Sequence, residues 1–212
     1  MDEKTLINLR KNYEKGELIE TKINSNPFKQ FLIWFEEVLK LNIYESNAMI
    51  LATALENKPS ARVVLLKGFD ESGFKFYTNY NSRKGKQLSS NPNAALLFYW
   101  MELERQVRIE GKVQKLSREE SLEYFNSRPL ESRLGALASN QSEVIPDREY
   151  LEKKFNQMKE LYGENPPMPE SWGGYKLIPD LFEFWQGRPN RLHDRIVYER
   201  QESNWKIYRL SP

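Results

Sequence analysis

The sequence predicts an α+β protein, mainly β, in which short antiparallel strands form a barrel surrounded by helices. Three observations carry this expectation. Runs rich in β-branched and aromatic residues recur at 48–55, 61–67, 73–79, 94–101 and 104–116, and again near 173–186, 191–199 and 204–210. Turn signals at Asn57-Lys58-Pro59, Asp70-Glu71-Ser72-Gly73 and Asn91-Pro92-Asn93 separate the early runs, mostly too closely for crossover helices, so neighbouring strands should be antiparallel. Between the early and late strands, residues 117–162 are patterned as a helical insert.

The elements follow in order. Residues 1–25 read as an N-terminal arm, and within residues 1–14 the spacing of Leu6, Leu9 and Tyr13 makes one apolar edge of a short helix. Asn26 as N-cap and Pro27 at the first helical position open a stronger helix, whose Phe28, Phe31, Leu32, Phe35, Val38 and Leu39 form a wide apolar stripe. After the third strand, Ser82 is placed to cap a helix. Ser117 with Glu120 makes a capping box, Pro129 starts a second short helix, and Asp147 begins a third carrying Leu151, Phe155, Met158 and Tyr162. The stretch 163–171, with Pro166, Pro167 and Pro169, reads as a loop, and 201–203 as the polar turn joining the last two strands. There is no internal repeat or low-complexity tract, and residues 1–212 are read as a single domain.

Composition narrows the chemistry. With 212 residues, 39% of them hydrophobic and 13% aromatic, the chain is long enough for one real core. It has no cysteine, which removes disulfides, thiolate nucleophiles, cysteine-held iron–sulfur clusters and the usual structural zinc sites. A single histidine removes multi-histidine metal centres, so no metal is expected. Thirty-two Lys and Arg against thirty Asp and Glu leave a net charge of +2, which argues against nucleic acid or an anionic membrane as a partner. Any anion site must be local. No apolar run approaches the ~20 residues of a membrane span, and Asp2, Glu3 and Lys4 do not lead into a secretory apolar segment, so a cytoplasmic setting is expected.

The lone histidine lies in the most informative segment, Glu183-Phe184-Trp185-Gln186-Gly187 followed by Arg191-Leu192-His193-Asp194-Arg195. If that stretch is extended, Arg191, His193 and Arg195 share one face. Two fixed cations, an imidazole and the flat ring of Trp185 suit an anionic, planar ligand. Earlier, Tyr77-Thr78-Asn79-Tyr80-Asn81-Ser82-Arg83-Lys84 leads from a strand into a helix, and Arg83 and Lys84 oppose the helix dipole unless an anion offsets them. A phosphate site is one reading of this segment and a solvated basic turn the other. Arg62 and Lys67 lie five apart on a strand, on opposite faces by parity, which suits two different anionic groups or one site and one surface charge. Tyr124, Arg128 and Ser132 recur every fourth residue, with Pro129 breaking the helix near Arg128; together they could donate to a phosphate or form an ordinary polar helix face. Gln106, Gln141 and Ser142 offer amide and hydroxyl contacts.

Taken together, Arg62–Lys67, Tyr77-Thr78, Ser82-Arg83-Lys84, Glu104-Arg105-Gln106-Val107, Tyr124–Pro129, Ser132, Gln141-Ser142, Trp172-Gly173-Gly174, Glu183–Gly187, Arg191–Arg195 and the ending Trp205–Pro212 resemble, in order and spacing, the pyridoxine/pyridoxamine 5′-phosphate oxidase family. The resemblance thins at residues 14–26 and at Arg188-Pro189-Asn190. It implies an FMN-binding split barrel acting as a homodimer with each flavin at the subunit interface. It also implies oxidation of pyridoxamine or pyridoxine 5′-phosphate to pyridoxal 5′-phosphate, with O2 reduced to H2O2. The FMN contacts so implied are Arg62, Lys67, Tyr77, Thr78, Arg83, Lys84, Gln106, Gln141, Ser142, Trp185 and Arg195. The substrate phosphate would meet Lys67, Tyr124, Arg128 and Ser132, the catalytic pair Arg191 and His193 would lie against the pyridine ring, and Arg10 and Tyr13 would form a lid. The rival readings are another FMN-dependent reductase on the same barrel, a non-catalytic flavin- or haem-binding barrel, and an RNA-binding barrel. The reductase has no use for Tyr124, Arg128, Ser132, Arg191 and His193, and the balanced charge gives the RNA reading little support.

Overall fold

The computed structural model describes residues 2–9 and 11–212. In chain order the helices are α1 (Glu3–Ile7), α2 (Pro27–Lys40), α3 (Arg83–Ser90), α4 (Arg118–Ser127), α5 (Leu130–Ala138) and α6 (Arg148–Tyr162). The strands are β1 (Ala48–Leu55), β2 (Lys58–Leu65), β3 (Gly68–Asp70), β4 (Gly73–Asn79), β5 (Asn93–Trp100), β6 (Arg105–Lys115), β7 (Trp172–Gln186), β8 (Asp194–Gln201) and β9 (Asn204–Arg209). They form one antiparallel sheet in the order β2-β1-β5-β6-β7-β4-β3, with β8 paired to β7 and β9 to β8. Besides β6, strand β7 pairs with two further strands along its length: Trp172–Leu177 with β4 and Leu181–Gln186 with β8. The sequence reading missed β3, a three-residue strand too short for alternation to register. Strand β2 starts before Pro59, which a strand at the end of the sheet path tolerates because one of its edges needs no N–H donor.

The chain separates into two compact units, one of Met1–Met49, Leu96–Glu110 and Pro179–Pro212, the other of Ile50–Ala95 and Gly111–Ile178. In the first, α2 is started as expected: Asn26 accepts from the N–H groups of Phe28 and Lys29 at 2.9 and 3.3 Å. Its buried face is narrower than the predicted stripe. Phe28, Phe31, Trp34 and Val38 are buried, whereas Leu32 and Leu39 at the edge of the stripe are 42% and 49% exposed. Edge-on aromatic contacts of Phe28 with Phe182, Phe31 with Phe98 and Trp34 with Phe184, with ring centroids 5.0–5.2 Å apart, form the core of this unit.

The predicted arm is firmly held from residue 14 onward. Leu18 is buried and its N–H donates to Asp194 at 3.0 Å, while Arg209 donates to the Leu18 carbonyl and both carboxylate oxygens of Glu20 and also pairs with Asp194. Arg188 donates to the Gly16 carbonyl at 2.8 Å.

In the second unit the predicted caps are in place. Ser82 accepts from Gly85 N–H at 3.3 Å, Ser117 from Glu120 N–H at 3.1 Å, and Asp147 from Tyr150 N–H at 2.7 Å. Helix α4 stops at Ser127, and Arg128 takes extended geometry (φ −78°, ψ 149°) before Pro129, the restriction that a following proline imposes. The apolar stripe of α6 is only half-buried at Leu151, Phe155, Met158 and Tyr162.

Candidate functional site

The second unit encloses a cavity of about 640 Å³ whose wall includes Lys67, Lys84, Tyr124, Arg128, Ser132 and Gln141. All three members of the 124–128–132 series line it across the break at Pro129: Tyr124 lies in the last turn of α4, Arg128 in the extended joint, and Ser132 in the first turn of α5. Here Arg128 lies over the Trp172 ring, 4.8 Å from its centroid, and its Nη1 is buried without any hydrogen-bond partner. Burial pushes its pKa down, but a guanidinium stays charged at any physiological pH. An unpaired buried donor of this kind costs about 1–3 kcal/mol, more for a charged group, and an acceptor bound there would offset that cost.

Beneath it, Tyr77 stacks on Tyr124 with ring centroids 3.9 Å apart and planes inclined by 22°, and on Trp172 at 5.5 Å. Burial pushes the Tyr77 phenol up to about 12, so it stays protonated. Gly174 makes this stack possible. A Cβ there would stand 2.8 Å from the Tyr77 ring and 2.5 Å from Leu116.

A second cationic cluster stands at the start of α3. Arg62 is fixed by four bonds: Nη1 to the Leu51 carbonyl (3.1 Å) and Thr53 (2.7 Å), and Nη2 to Ser60 (2.8 Å) and Gln87 (3.1 Å). Lys84 reaches Thr78 at 3.2 Å and Gln141 at 3.0 Å, and Thr78 donates to Gln141 at 3.0 Å. Burial first, and then the neighbouring charge, pushes both cations down: Arg83 acts on Arg62, and Arg62 on Lys84. Among the described residues, Arg62, Lys67, Arg83, Lys84 and Arg128 form no ion pair with any carboxylate, whereas Arg105, Arg108, Arg195 and Arg209 all do. Lys67, Lys84 and Arg128 line the cavity with no carboxylate among the described residues of its wall, so an anion bound there would face cations alone.

Gly135 faces the same cavity from the middle of α5, and a Cβ there would meet nothing within 4 Å. Its backbone is ordinary helix, so Gly135→Ala is expected to stabilise the chain by about 0.5–1 kcal/mol. Thermal denaturation checks this, and an unchanged or lower Tm would refute it.

The first unit holds a pocket of about 440 Å³ lined by Tyr13, Arg188, Asn190, Arg191 and His193 together with neighbouring arm residues. Trp185 lies against the same imidazole, 4.7 Å between ring centroids, and Tyr13 meets both rings edge-on. The extended face expected for Arg191, His193 and Arg195 does not form. Arg191 closes a 3₁₀ turn at Pro189–Arg191 with φ +62°, and β8 begins only at Asp194. Strand parity therefore does not apply to the three side chains. Arg195 instead donates to the buried carboxylate of Glu183 at 2.7 Å and to the Ser211 carbonyl at 2.9 Å. Glu183 also pairs with Arg108 at 2.5 Å, and the two arginines outweigh its burial and hold its carboxyl below the usual range.

His193 accepts the Arg188 N–H on Nδ1 at 3.1 Å, which requires that nitrogen to be deprotonated. Burial, and then the charge of Arg191, pushes its pKa below the ordinary 6.5. Because the folded value is the lower one, the neutral ring's contribution to stability is complete above pH 6.5 and is lost as pH falls toward the folded pKa. With one histidine in the chain, NMR follows this group without ambiguity. The midpoint is expected below 6.5 and should rise in Arg191→Ala; a parent midpoint at or above 6.5 would overturn the assignment.

Gln106 lies half-buried on β6, and Ser142 takes φ +73° in an exposed turn after Gln141. Arg10 lies outside the described residues. The sequence reading gave no role to Trp172 beneath Arg128, to Gly135, to the Thr53–Ser60–Gln87 cradle of Arg62, or to Glu183; of these, Trp172 and Glu183 fell within segments quoted for the resemblance and the rest carried no motif.

A family model described as "Pyridoxamine 5'-phosphate oxidase" matches residues 35–162, and one described as "Pyridoxine 5'-phosphate oxidase C-terminal dimerisation region" matches residues 172–212. The chain belongs to the pyridoxamine 5′-phosphate oxidase family. Pyridoxine/pyridoxamine 5′-phosphate oxidases of Burkholderia mallei (strain SAVP1) and Burkholderia thailandensis are each 57% identical over 212 residues, covering 98% of this chain and 99% of the relative. Among solved structures, PhzG from Burkholderia lata 383, in complex with tetrahydrophenazine-1-carboxylic acid, gives a TM-score of 0.87 at 32% identity, covering 92% of this chain and 98% of that one. An FMN-binding protein from Nostoc punctiforme PCC 73102, related to pyridoxamine 5′-phosphate oxidase, shares the fold with a TM-score of 0.70 at 18% identity, covering 90% of this chain and all of that one. As a member of this family of oxidases, the protein is an oxidoreductase.

Proposed function

We propose that this protein is a pyridoxal 5′-phosphate synthase that oxidises pyridoxamine 5′-phosphate and pyridoxine 5′-phosphate with FMN and O2, working as a cytoplasmic homodimer with each flavin at the subunit interface. For the amine, substrate, water and O2 give the aldehyde, ammonia and H2O2. The observation that carries the reading is the cavity that gathers Lys67, Lys84, Tyr124, Arg128 and Ser132 with no carboxylate among the described residues of its wall. Arg62, Arg83 and Lys84 suit the phosphate of FMN. Lys67, Tyr124, Arg128 and Ser132 suit that of the substrate, with Lys67 able to serve both. Tyr77, Thr78, Gln106, Gln141, Ser142, Trp185 and Arg195 are the remaining candidates to hold the flavin.

FMN supplies the two-electron chemistry when bound. The chain's own task is to bind and orient. Arg128, Tyr124 and Ser132 are assigned to the substrate phosphate, Arg191 and neutral His193 to its ring, and Tyr13 to a lid; Arg10, assigned to the same lid, lies outside the described residues. The pairing of Glu183 with Arg195 keeps that arginine aimed by using its Nε and leaving Nη2 for a ligand.

The likeness to PhzG favours a second reading, oxidation of a reduced phenazine carboxylate. Such a substrate carries a carboxylate and no phosphate, so it leaves the Tyr124–Arg128–Ser132 donors without a dianion to match. Purified protein should show flavin absorbance released as FMN and turn over pyridoxamine 5′-phosphate with equimolar peroxide. FMN-loaded protein inert to both vitamin phosphates but active on a dihydrophenazine carboxylate would reverse the assignment. The dimer should scatter light as twice the 25.2 kDa chain, and an FMN-loaded monomer would sink it.

A further inference from the structure

The arm reaches its pocket through one residue with no role assigned so far. Glu104 follows the 3₁₀ turn Met101–Leu103 and sits in the left-handed region at φ +55°, a conformation uncommon for a residue with a side chain. The turn aims its two acceptor groups at different segments. Its carboxylate Oε2 accepts from the N–H groups of Glu14 and Lys15 at 2.7 and 3.0 Å. Its carbonyl accepts from Gly187 N–H at 2.8 Å and from Gln186 Nε2 at 3.3 Å. Lys15 adds a bond to the neighbouring Glu102 carbonyl at 2.7 Å.

Tyr13 sits next to the first of these segments and directly on the second. A Cβ on Gly187 would stand 2.7 Å from Tyr13 Cγ, so the tyrosine ring rests on bare backbone at that point. From this seat it meets Trp185 at 5.6 Å and His193 at 5.5 Å and forms a wall of the pocket containing Arg191.

We propose that Glu104 is a positioning residue that latches the arm to the end of β7, so that Tyr13 is held as the wall of the Arg191–His193 pocket. It touches no ligand itself. A carboxylate taking two backbone N–H groups is a charge-assisted clamp, and its strength sets how often the arm opens. Where the proposal concerns substrate, it rests on the reading of this pocket as the pyridine subsite.

The test compares Glu104→Ala, Glu104→Gln and Gly187→Ala in the FMN-loaded protein. The last variant displaces Tyr13 while leaving Glu104 in place. Without substrate, trypsin should cut after Lys11 and Lys15 about tenfold or more faster in Glu104→Ala, with Glu104→Gln intermediate because it keeps an acceptor oxygen. The His193 NMR resonance should shift in Glu104→Ala and Gly187→Ala alike, as the edge-on Tyr13 ring leaves. With pyridoxamine 5′-phosphate, KM should rise about tenfold while kcat changes much less. Parent-like cleavage together with a parent-like resonance in Glu104→Ala would refute the latch. Faster cleavage with an unchanged KM would refute its positioning role. Absence of turnover in the parent protein would count against the substrate reading instead, and cleavage and resonance would still decide the latch.

Discussion

Arg128→Ala is expected to raise the KM for pyridoxamine 5′-phosphate by about 10- to 100-fold, the loss of one charge-assisted hydrogen bond of ~1.5–3 kcal/mol, while FMN affinity stays nearly unchanged. The asymmetry follows from the two cationic clusters: Arg128 belongs to the one around Tyr124 and Ser132, and Arg62, with its four internal bonds, belongs to the other. A second consequence separates binding from folding. Since the Arg128 Nη1 has no hydrogen-bond partner among the described residues, removing it breaks no hydrogen bond and loses only the contact with Trp172, so stability should change by less than about 1 kcal/mol. Steady-state kinetics, flavin titration and thermal denaturation check the three parts. Flavin release with substrate binding intact would mean that the assignment of the two clusters is wrong.

Arg191→Ala is expected to slow flavin reduction at saturating substrate by at least about tenfold, equivalent to ~1.4 kcal/mol, with a normal FMN spectrum. Arg191 is set in a left-handed turn at φ +62°, and its charge acts on the neighbouring imidazole in the pocket that both residues line. Lysine would keep the charge and lose the flat stacking surface, so Arg191→Lys should also be impaired. Anaerobic stopped-flow reduction gives the limiting rate directly. If that rate is unchanged and only binding weakens, Arg191 is a substrate clamp and nothing more.

Local signals made most of the fold legible. Asn26-Pro27, Ser82, Ser117 and Asp147 are helix starts whose chemistry acts within a few residues, and all four cap as expected. The break at Pro129 was legible for the same reason, and Tyr124, Arg128 and Ser132 line one cavity across it. What failed depended on distant partners. The parity argument for Arg191, His193 and Arg195 assumed a strand that starts three residues later, because Asn190 and Arg191 take positive φ that no composition rule signals. Trp34 replaces Leu32 and Leu39 in the buried face of α2 because Phe184 faces that side of the helix. The cradle of Arg62 joins residues from 51 to 87, and Glu104 joins 14 to 187; neither spacing forms a motif.

The knot of Arg209 with Leu18, Glu20 and Asp194 fixes the root of the arm, and Glu104 adds its last anchor at Glu14 and Lys15. The arm is thus bonded into the first unit between Glu14 and Glu20, so a chain shortened to begin at Asn12 or Tyr13 should fold and keep its melting temperature. Tyr13 is then held on a very short leash. It is one residue from the anchor at Glu14, about 3.5 Å of chain. Groups on so short a leash act at high effective concentration over the pocket. The arm's opening is therefore governed by its last anchor and very little by its length or by viscosity and crowding in the surrounding medium.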